Sequence, residues 1–484
     1  MTDRRRWTAL YVLCLGMLMI VLDVTVTNVA LPSIRADLGF SQSSLAWVVN
    51  AYLIAFGGLL LLAGRFGDIL GRKRVFLAGL GVFTTASLMC GLAQTQEMLV
   101  IARFVQGVGG AMTSAVILGM IVTMFREPRE QAKAIGIYGF VASAGGAVGL
   151  LAGGVLTQAI NWHWIFFVNV PIGVVTAVAG HRLLDRDQGI GFGEGADALG
   201  AALITGALMI AVYTIVKPAA EAGWTSARTL GFGGASVALL ALFVVREARA
   251  KSPLMPLRIF RSRNVSGANA IQALTVAGMF GMFFLGALYL QQLRGYDSLQ
   301  IGLAFLPTTI VMAALSVRYA ARLIMRFGAR RTLLAGLALI AAGLAFFARI
   351  PLDASYVRDV LPSLFLIGVG VGAAFPALMT LAMSGATPSD AGLASGLVNT
   401  SAQVGGALGL AVLATVSATR TSDLVSAGLS RAAALTGGYH LAFAVSAVLV
   451  VVAIAVGLRV LSEREPATVA QIDAEPAWEE SAAS

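Results

Sequence analysis

Asp23 is the only carboxylate that lies deep inside a membrane-length apolar segment, which covers residues 7–32. A charged side chain at the centre of a bilayer costs about 2.5–3.5 kcal/mol on insertion scales unless it faces a protein interior or water. Acidic groups in this position usually mark the path of an ion or a substrate through a membrane protein. The alternative is a structural aspartate that is hydrogen-bonded to neighbouring backbone.

Arg103 is a second charge inside an apolar segment, the fourth along the chain. It lies roughly 7.5 Å from the outer end of that segment at 1.5 Å per residue. Asp23 lies roughly 20 Å into the first segment, which leaves roughly 10 Å to the far side of the apolar core of the membrane. The two opposite charges therefore fall at similar depth, and we expect them to pair. In the alternative, the Arg103 side chain extends outward to the membrane surface.

Several other kinds of chemistry lack the residues that they need. No GxxxxGK[ST] motif occurs, because none of the four lysines, Lys73, Lys133, Lys217 and Lys251, follows a glycine. This excludes ATP-driven transport by this chain alone. The three histidines are far apart in sequence and both cysteines lie in apolar segments, so neither a metal site, a catalytic triad nor a disulfide is indicated. We expect no enzymatic activity, no metal and no cofactor.

The composition is that of a membrane protein with several spans. Hydrophobic residues make up 58% of the 484 residues, charged residues only 12%, and the mean hydropathy is +0.84. A soluble protein with so little charge could not cover its surface, whereas lipid requires an apolar surface. The chain is therefore expected to be an all-α polytopic membrane protein surrounded by a lipid bilayer.

The net charge of +10 has an explanation other than nucleic acid, for which we expect no binding. Lys and Arg concentrate in every second loop, beginning with residues 4–6, 65–74 and 126–133. The opposite loops hold few cations. Because basic loops remain on the cytoplasmic side, this asymmetry predicts that both termini are cytoplasmic.

Fourteen apolar segments are separated by charged or turn residues. They cover residues 7–31, 46–64, 75–94, 98–125, 134–157, 165–183, 197–216, 229–246, 264–292, 300–321, 332–350, 359–383, 391–416 and 437–460. The seventh and eighth are interrupted by a polar stretch from Lys217 to Arg228. An even number of spans agrees with two termini on the same side.

An internal repeat indicates how these spans are organised. Residues 64–80 (GRFGDILGRKRVFLAGL) align with residues 321–337 (ARLIMRFGARRTLLAGL). The offset exceeds the length of six spans by about one pair of spans. We therefore predict two six-helix bundles plus two additional linker spans, with a site between the bundles. The predicted units are residues 1–196, 197–263, 264–460 and a disordered acidic tail at 461–484.

Two glycine-containing segments are predicted to take part in conformational change. In the loop at residues 64–74, Gly64 and Gly71 allow a tight turn, and we interpret the loop as a conformational latch that contains Asp68 and Arg72. Asp68 would accept from a helix N-terminus or pair with an arginine of the other bundle; the alternative is an ordinary solvated loop.

The fifth span carries glycines at four-residue spacing, which predicts a close helix contact that can slide or rock. These glycines are Gly145, Gly149 and Gly153, with Gly146 and Gly154 beside them.

Together, five motifs resemble the fourteen-span drug:proton antiporter branch of the major facilitator superfamily, over nearly the whole chain. Residues 22–32 (LDVTVTNVALP) resemble its first-span signature, 64–74 its loop motif and 103–107 (RFVQG) its fourth-span motif. Residues 145–154 resemble the fifth-span antiporter motif, and 162–173 (WHWIFFVNVPIG) the segment that follows it. Three residues depart from the family pattern, namely Leu150, Met325 and Ala402.

The resemblance implies the major facilitator fold and export of amphipathic, often cationic compounds from a bacterial cytoplasmic membrane, driven by inward proton flow. It also implies that Asp23 and Arg103 couple transport to protons, in a protein that we expect to be a monomer. The alternatives are a dedicated exporter of one endogenous metabolite, antibiotic or lipid, and a membrane enzyme or channel.

A polar and aromatic set is predicted to line the substrate cavity, with plain helix packing as the alternative for each member. It consists of Asn28, Tyr52, Gln106, Tyr138, Gln272, Phe280, Phe284, Asn399 and Gln403.

Overall fold

The computed structural model describes residues 3–125, 127–185, 187, 189, 191, 197–250, 253–255, 257–352, 354–384 and 391–462. Fourteen long helices dominate this part of the chain. They are α1 Asp3–Leu38, α2 Gln42–Leu70, α3 Arg72–Gly91, α4 Gln96–Met124, α5 Pro128–Ala159, α6 Asn169–Leu183, α7 Ala198–Thr214, α8 Ala227–Arg249, α9 Arg263–Arg294, α10 Ser298–Arg318, α11 Ala329–Phe347, α12 Leu361–Ser384, α13 Ala391–Ser426 and α14 Arg431–Val460. Short helices connect some of them, namely Trp164–Phe167, Ala220–Ala222, Leu257–Arg261, Ala320–Phe327 and the π-helices Ile215–Ala219 and Tyr356–Val360.

The prediction of fourteen spans is confirmed. Among the described residues, 13 helices are long and apolar enough to cross a membrane, and Val148–Ala159 within α5 adds a shorter apolar stretch. Large apolar side chains such as Val174, Leu230 and Val237 are exposed, as expected for helix faces that contact lipid.

Local sequence sets the helix ends. The Ser41 side chain accepts from the Ser44 backbone N–H and the Ser44 side chain accepts in return, so a capping box starts α2. Asp297 and Gln300 form the same arrangement at the start of α10. Gly295 ends α9 in the left-handed region at a φ of 68°, where a glycine avoids steric cost.

Two helix ends differ from the sequence expectation. The span predicted at residues 391–416 continues to Ser426, because the polar residues after 416 contain no helix breaker until Gly428. The polar stretch that begins at Lys217 overlaps the π-helix Ile215–Ala219. It also contains a turn at Gly223, whose φ is 82°. This turn separates α7 from α8.

The helices pack as two groups with a linker pair between them. Helices α1–α6 contact one another, as do α9–α14, while α7 and α8 pair together and α7 lies against α2 and α13. Leu62 on α2 packs against Ala201 on α7 and Phe243 on α8. The bundle boundaries at 196/197, 263/264 and 460/461 stay predictions, and the tail at 463–484, like Arg126, Arg186 and Lys251, lies outside the described residues.

Candidate functional site

Asp23 and Arg103 form an ion pair inside the first bundle. The distance from Arg103 Nη1 to Asp23 Oδ2 is 2.5 Å, and the side chains are 1% and 0% exposed. The structure thus brings together the two lone membrane charges, and Arg103 does not extend to the membrane surface. A single charge would be unstable at this depth, so each of the two side chains serves as the counter-ion of the other.

Two amides complete the shell around the carboxylate. Gln106 Nε2 donates to Asp23 Oδ1 at 2.7 Å, and Asn169 Nδ2 donates to the same oxygen at 2.9 Å. Gln106 also donates to Ser87 Oγ and accepts from Arg103 Nη1, each at 2.7 Å. Both carboxylate oxygens are therefore occupied by donors from α4 and α6.

Glycines on α4 position the arginine. Arg103 and Gln106 are three residues apart and share one helical face. A Cβ at Gly107 would meet the Tyr52 carbonyl oxygen, so this glycine lets α4 approach α2 closely. At that separation Arg103 Nε donates to the Val48 carbonyl oxygen at 2.9 Å.

Aromatic rings enclose the arginine on two sides. The Arg103 guanidinium carbon lies 4.5 Å from the Tyr52 ring centre and 5.7 Å from that of Phe166. The Tyr52 hydroxyl is buried without a hydrogen-bond partner among the described residues. Electrostatic interactions in such a dry pocket are stronger than in water, so protonation of Asp23 would break the strongest contact of the network.

Asn169 and Ser87 were not predicted from the sequence. Asn169 is the first residue of α6 and is fully buried. A signal was present, since it is the one amide side chain in the segment at 162–173, between apolar residues and just before Pro171.

The nine residues predicted to line the cavity fall into two groups. Four are buried inside the helix bundles in this conformation, and their assignment to a substrate cavity stays a prediction: Tyr52, Gln106, Gln272 and Phe284. The other five retain exposure, and their assignment to a substrate cavity stays a prediction: Asn28, Tyr138, Phe280, Asn399 and Gln403. Polar and aromatic side chains can face the interior of their own bundle as well as a cavity between the bundles. The sequence does not distinguish these two orientations.

The loop between α2 and α3 is held from within its own bundle. Gly71 has a φ of 99° and joins the two helices. Asp68 pairs with Arg72 at 3.2 Å, and Arg72 Nη1 donates to the Gly119 carbonyl oxygen at 2.9 Å. The expectation that Asp68 pairs across the bundle interface or receives a helix N-terminus is wrong for this conformation. The N-terminus of α3 is capped instead by Asp187, which accepts from the Arg72 backbone N–H at 2.6 Å.

The repeat of this loop is present in three dimensions. Gly328 has a φ of 84° and precedes α11 as Gly71 precedes α3. Lys73 Nζ donates to the carbonyl oxygens of His181 and Leu184 at the end of the sixth span. Arg330 Nη2 likewise donates to the Leu458 carbonyl oxygen at the end of the fourteenth. In each bundle, a basic side chain therefore fastens the third span to the last.

The glycines of α5 form two separate seams. Gly145, Gly149 and Gly153 face α1, where a Cβ would meet Leu18, Thr25 and Val26 respectively. Gly146 and Gly154 instead face α10, and a Cβ on Gly154 would lie 2.9 Å from the Ser298 carbonyl oxygen. The backbone of α5 therefore lies close both to α1 in its own bundle and to α10 in the other bundle.

The bundles contact each other both at the predicted outer ends of the spans and near their middle. Ser33 Oγ on α1 lies 3.1 Å from Ser298 Oγ on α10. Near mid-span, a Cβ on Gly57 would lie 2.7 Å from Gln403 Cβ on α13. One cavity of about 670 Å³ opens on the same side, between α2, α4, the linker span α7 and α13, with Trp47 and Tyr213 in its wall.

Comparison with known proteins gives a consistent picture. Residues 13–410 match the family model of the Major Facilitator Superfamily. The chain is 40% identical over 461 residues to the puromycin resistance protein of Streptomyces alboniger, covering 94% of this chain and 91% of that one. It is 40% identical over 417 residues to the cephamycin export protein of Amycolatopsis lactamdurans, covering 86% of each.

A solved structure, the inward-facing unoccupied bacterial homologue of the lysosomal transporter Spinster, resembles the fold with a TM-score of 0.67. Its sequence identity is 16%, and the match covers 94% of this chain and 97% of that one.

Proposed function

This chain belongs to the major facilitator superfamily and is a membrane transporter, not an enzyme, and we propose that it exports amphipathic compounds, typically cations, in exchange for protons. The names of its relatives support export, since they include resistance and export proteins for several antibiotics. No cofactor is required in this proposal, because the proton gradient supplies the free energy. We place the protein in the bacterial cytoplasmic membrane as a monomer with both termini cytoplasmic.

The buried Asp23–Arg103 pair is the observation that carries the proton-coupling proposal. A carboxylate with three donors has two distinct states: charged and held by Arg103, or neutral with that bond broken. Exchange between these states changes how α1 binds α4 and α6. Because α1 also contacts α5 through the glycine seam, a proton on Asp23 alters the same bundle that packs against α10.

The enclosure of Asp23 changes how substrate and proton compete. Direct competition would require a cationic substrate and a proton to reach the same carboxylate. In the present conformation Asp23 is fully buried inside the first bundle. We therefore propose that substrate and proton compete mainly through the conformation, with the substrate bound among partly exposed groups such as Asn28, Phe280 and Gln403. A membrane potential of 100 mV supplies about 2.3 kcal/mol for each unit charge that crosses the membrane. This free energy sustains roughly a 50-fold concentration gradient of the substrate.

Uphill efflux of a fluorescent lipophilic cation, with and without a protonophore, tests this function. We expect Asp23→Asn to fold and insert but to lose uphill efflux, because it is fixed in a neutral state. Asp23→Glu keeps the titratable group and should retain partial activity, whereas Arg103→Ala should damage transport.

Asp423→Asn is a matched control, since Asp423 is exposed near the end of α13. Proton release upon addition of the cation to purified protein would support the exchange. Normal proton-dependent efflux by Asp23→Asn would place the coupling site elsewhere.

A dedicated exporter of one endogenous metabolite, antibiotic or lipid is the second candidate. The puromycin resistance protein and the cephamycin export protein are each named for a single antibiotic, which favours narrow specificity. Growth protection against a panel of unrelated toxic cations separates the two candidates. Protection against several of them supports broad export, and protection against none supports the dedicated exporter.

A further inference from the structure

A cavity of about 580 Å³ lies between the two bundles on the predicted outer side. One wall is formed by α1 and the turn that follows it, and the other by the ends of α9 and α14. Arg35 lines it from the first bundle and Arg431 from the second. We call it the Arg35–Arg431 cavity. Its volume is within the range of sites for small molecules.

The cavity contains two positive charges and no negative one among its described lining residues. Arg35 Nε donates to the Phe40 carbonyl oxygen at 3.3 Å, which leaves its two terminal nitrogens without an acceptor in the described structure. Arg431 is close enough to repel Arg35 electrostatically. The nearest acidic residue along α1 is Asp37, which accepts from Trp162 Nε1 at 2.9 Å and does not line the cavity. Two like charges that converge without a counter-ion favour an anion between them.

The other groups in the wall suit the same ligand. Arg431 is the first residue of α14, so the partial positive charge of a helix N-terminus adds to that of the arginines. Gln291 and Gln292 also line the cavity, and the side-chain oxygen Oε1 of Gln292 accepts from the Tyr439 hydroxyl at 3.2 Å. Its amide N–H groups remain to donate to a ligand. Leu435 adds an apolar surface.

We propose that the Arg35–Arg431 cavity binds an amphipathic anion whose carboxylate, phosphate or sulfonate group is held between the two guanidinium groups. The planar guanidinium fork pairs with such oxygens through two parallel hydrogen bonds. The anion would come from a transported acidic compound or from the headgroup of an anionic lipid. Because the arginines belong to different bundles, a bound anion replaces their repulsion by a bridge and holds the outer ends of the bundles together.

The binding of phenyl phosphate to the full-length protein in phosphatidylcholine nanodiscs tests the site. We expect Arg35→Gln/Arg431→Gln to bind phenyl phosphate at least about tenfold more weakly than the wild type, since two charge-assisted contacts are lost. Arg431→Gln alone should show part of this loss, and it removes no described hydrogen bond. Arg228→Gln is the control, because Arg228 is exposed on the same predicted side but outside the cavity. Added salt should weaken binding to the wild type.

A second arm distinguishes the two sources of the anion. Native mass spectrometry of protein extracted from mixed phosphatidylglycerol and phosphatidylcholine vesicles counts the lipids retained. Arginine-dependent binding of phenyl phosphate supports a soluble anion, and arginine-dependent retention of phosphatidylglycerol without phenyl phosphate binding supports a lipid headgroup. The proposal is overturned if neither depends on the arginines, or if phenyltrimethylammonium binds the wild type as tightly as phenyl phosphate does. Binding is measured at equilibrium without a proton gradient, so this test is separate from that of proton coupling.

Discussion

Asp23 shows how much of a buried site depends on residues other than the charged pair. Arg103 satisfies one carboxylate oxygen, while Gln106 and Asn169 satisfy the other. A charge in a dry interior requires every one of these partners, because a buried ion that loses a partner carries the full cost of desolvation. The proposed coupling site is therefore better described as four residues on three helices than as a pair.

Substitution of Gln106 by leucine tests this four-residue site. Gln106→Leu keeps the side-chain size but removes a donor to Asp23 and another to Ser87. We expect a loss of about 1–3 kcal/mol in stability, since buried polar partners are left unsatisfied. The Asp23 carboxylate also loses one of its three donors, so the pH profile of efflux should change. A melting curve and efflux measured from pH 5 to pH 9 check both effects; an unchanged pH profile would remove Gln106 from the coupling site.

The pairing of Asp23 with Arg103 could be predicted because only two charges lie deep in apolar segments. Asn169 and Asp187 could not, since each contacts a residue more than a hundred positions away in the chain. Four of the nine predicted cavity residues, including Tyr52 and Phe284, are buried for a related reason. Composition shows that a helix carries polar or aromatic groups, but not which face it turns to its own bundle.

At the scale of elements, α5 is the helix that joins the site to the bundle interface. Its two glycine seams lie one residue apart, so that α1 packs on one and α10 on the other. The four-residue spacing predicted a close helix contact. The contact of α5 with α10 depends on how the two bundles pack against each other. A periodic pattern within one helix does not specify that packing.

Gly149→Ala tests the seam between α5 and α1. The added methyl group would clash with the Thr25 hydroxyl, and overpacking of this kind costs about 1–3 kcal/mol. Gly81→Ala is the matched control, because Gly81 is also within a helix but has open space where its Cβ would lie; it should be neutral or stabilising by up to about 1 kcal/mol. Thr25→Ala should partly rescue Gly149→Ala. Equal melting temperatures for the two glycine variants would contradict a tight seam.

The loop between α2 and α3 tests the latch hypothesis at the same scale. Asp68→Asn removes an exposed pair with Arg72 and should leave stability nearly unchanged, because such pairs contribute little. Asp187→Ala removes the cap of α3 and should cost about 0.5–2 kcal/mol. If the loop is a latch, Asp68→Asn slows turnover while substrate binding survives. Efflux at the wild-type rate by Asp68→Asn would contradict the latch hypothesis. The loop would then serve only to set the membrane topology.

The whole molecule combines two bundles with a linker pair whose orientation follows from charge. The Lys- and Arg-rich loops predict that the turn before α8 is outside and the end of α8 inside. In a background without Cys14 and Cys90, Thr225→Cys and Arg249→Cys place single labels at exposed positions on either side of α8. A membrane-impermeant thiol reagent should modify Thr225→Cys in intact cells and Arg249→Cys only after permeabilisation. Reaction of both from one side would remove α7 and α8 from the membrane.

If export proceeds by alternating access, the predicted outer ends of the bundles must separate during each transport cycle. Ser33 and Ser298 approach across this interface with hydroxyl oxygens 3.1 Å apart, so cysteines at both positions are within reach of a disulfide. In the background without Cys14 and Cys90, oxidised Ser33→Cys/Ser298→Cys should stop uphill efflux while substrate still binds from the cytoplasmic side, and a reducing agent should restore transport. Each single cysteine variant is a control for the substitution itself. A cross-linked protein that still pumps at the wild-type rate would show that export does not require these ends to part.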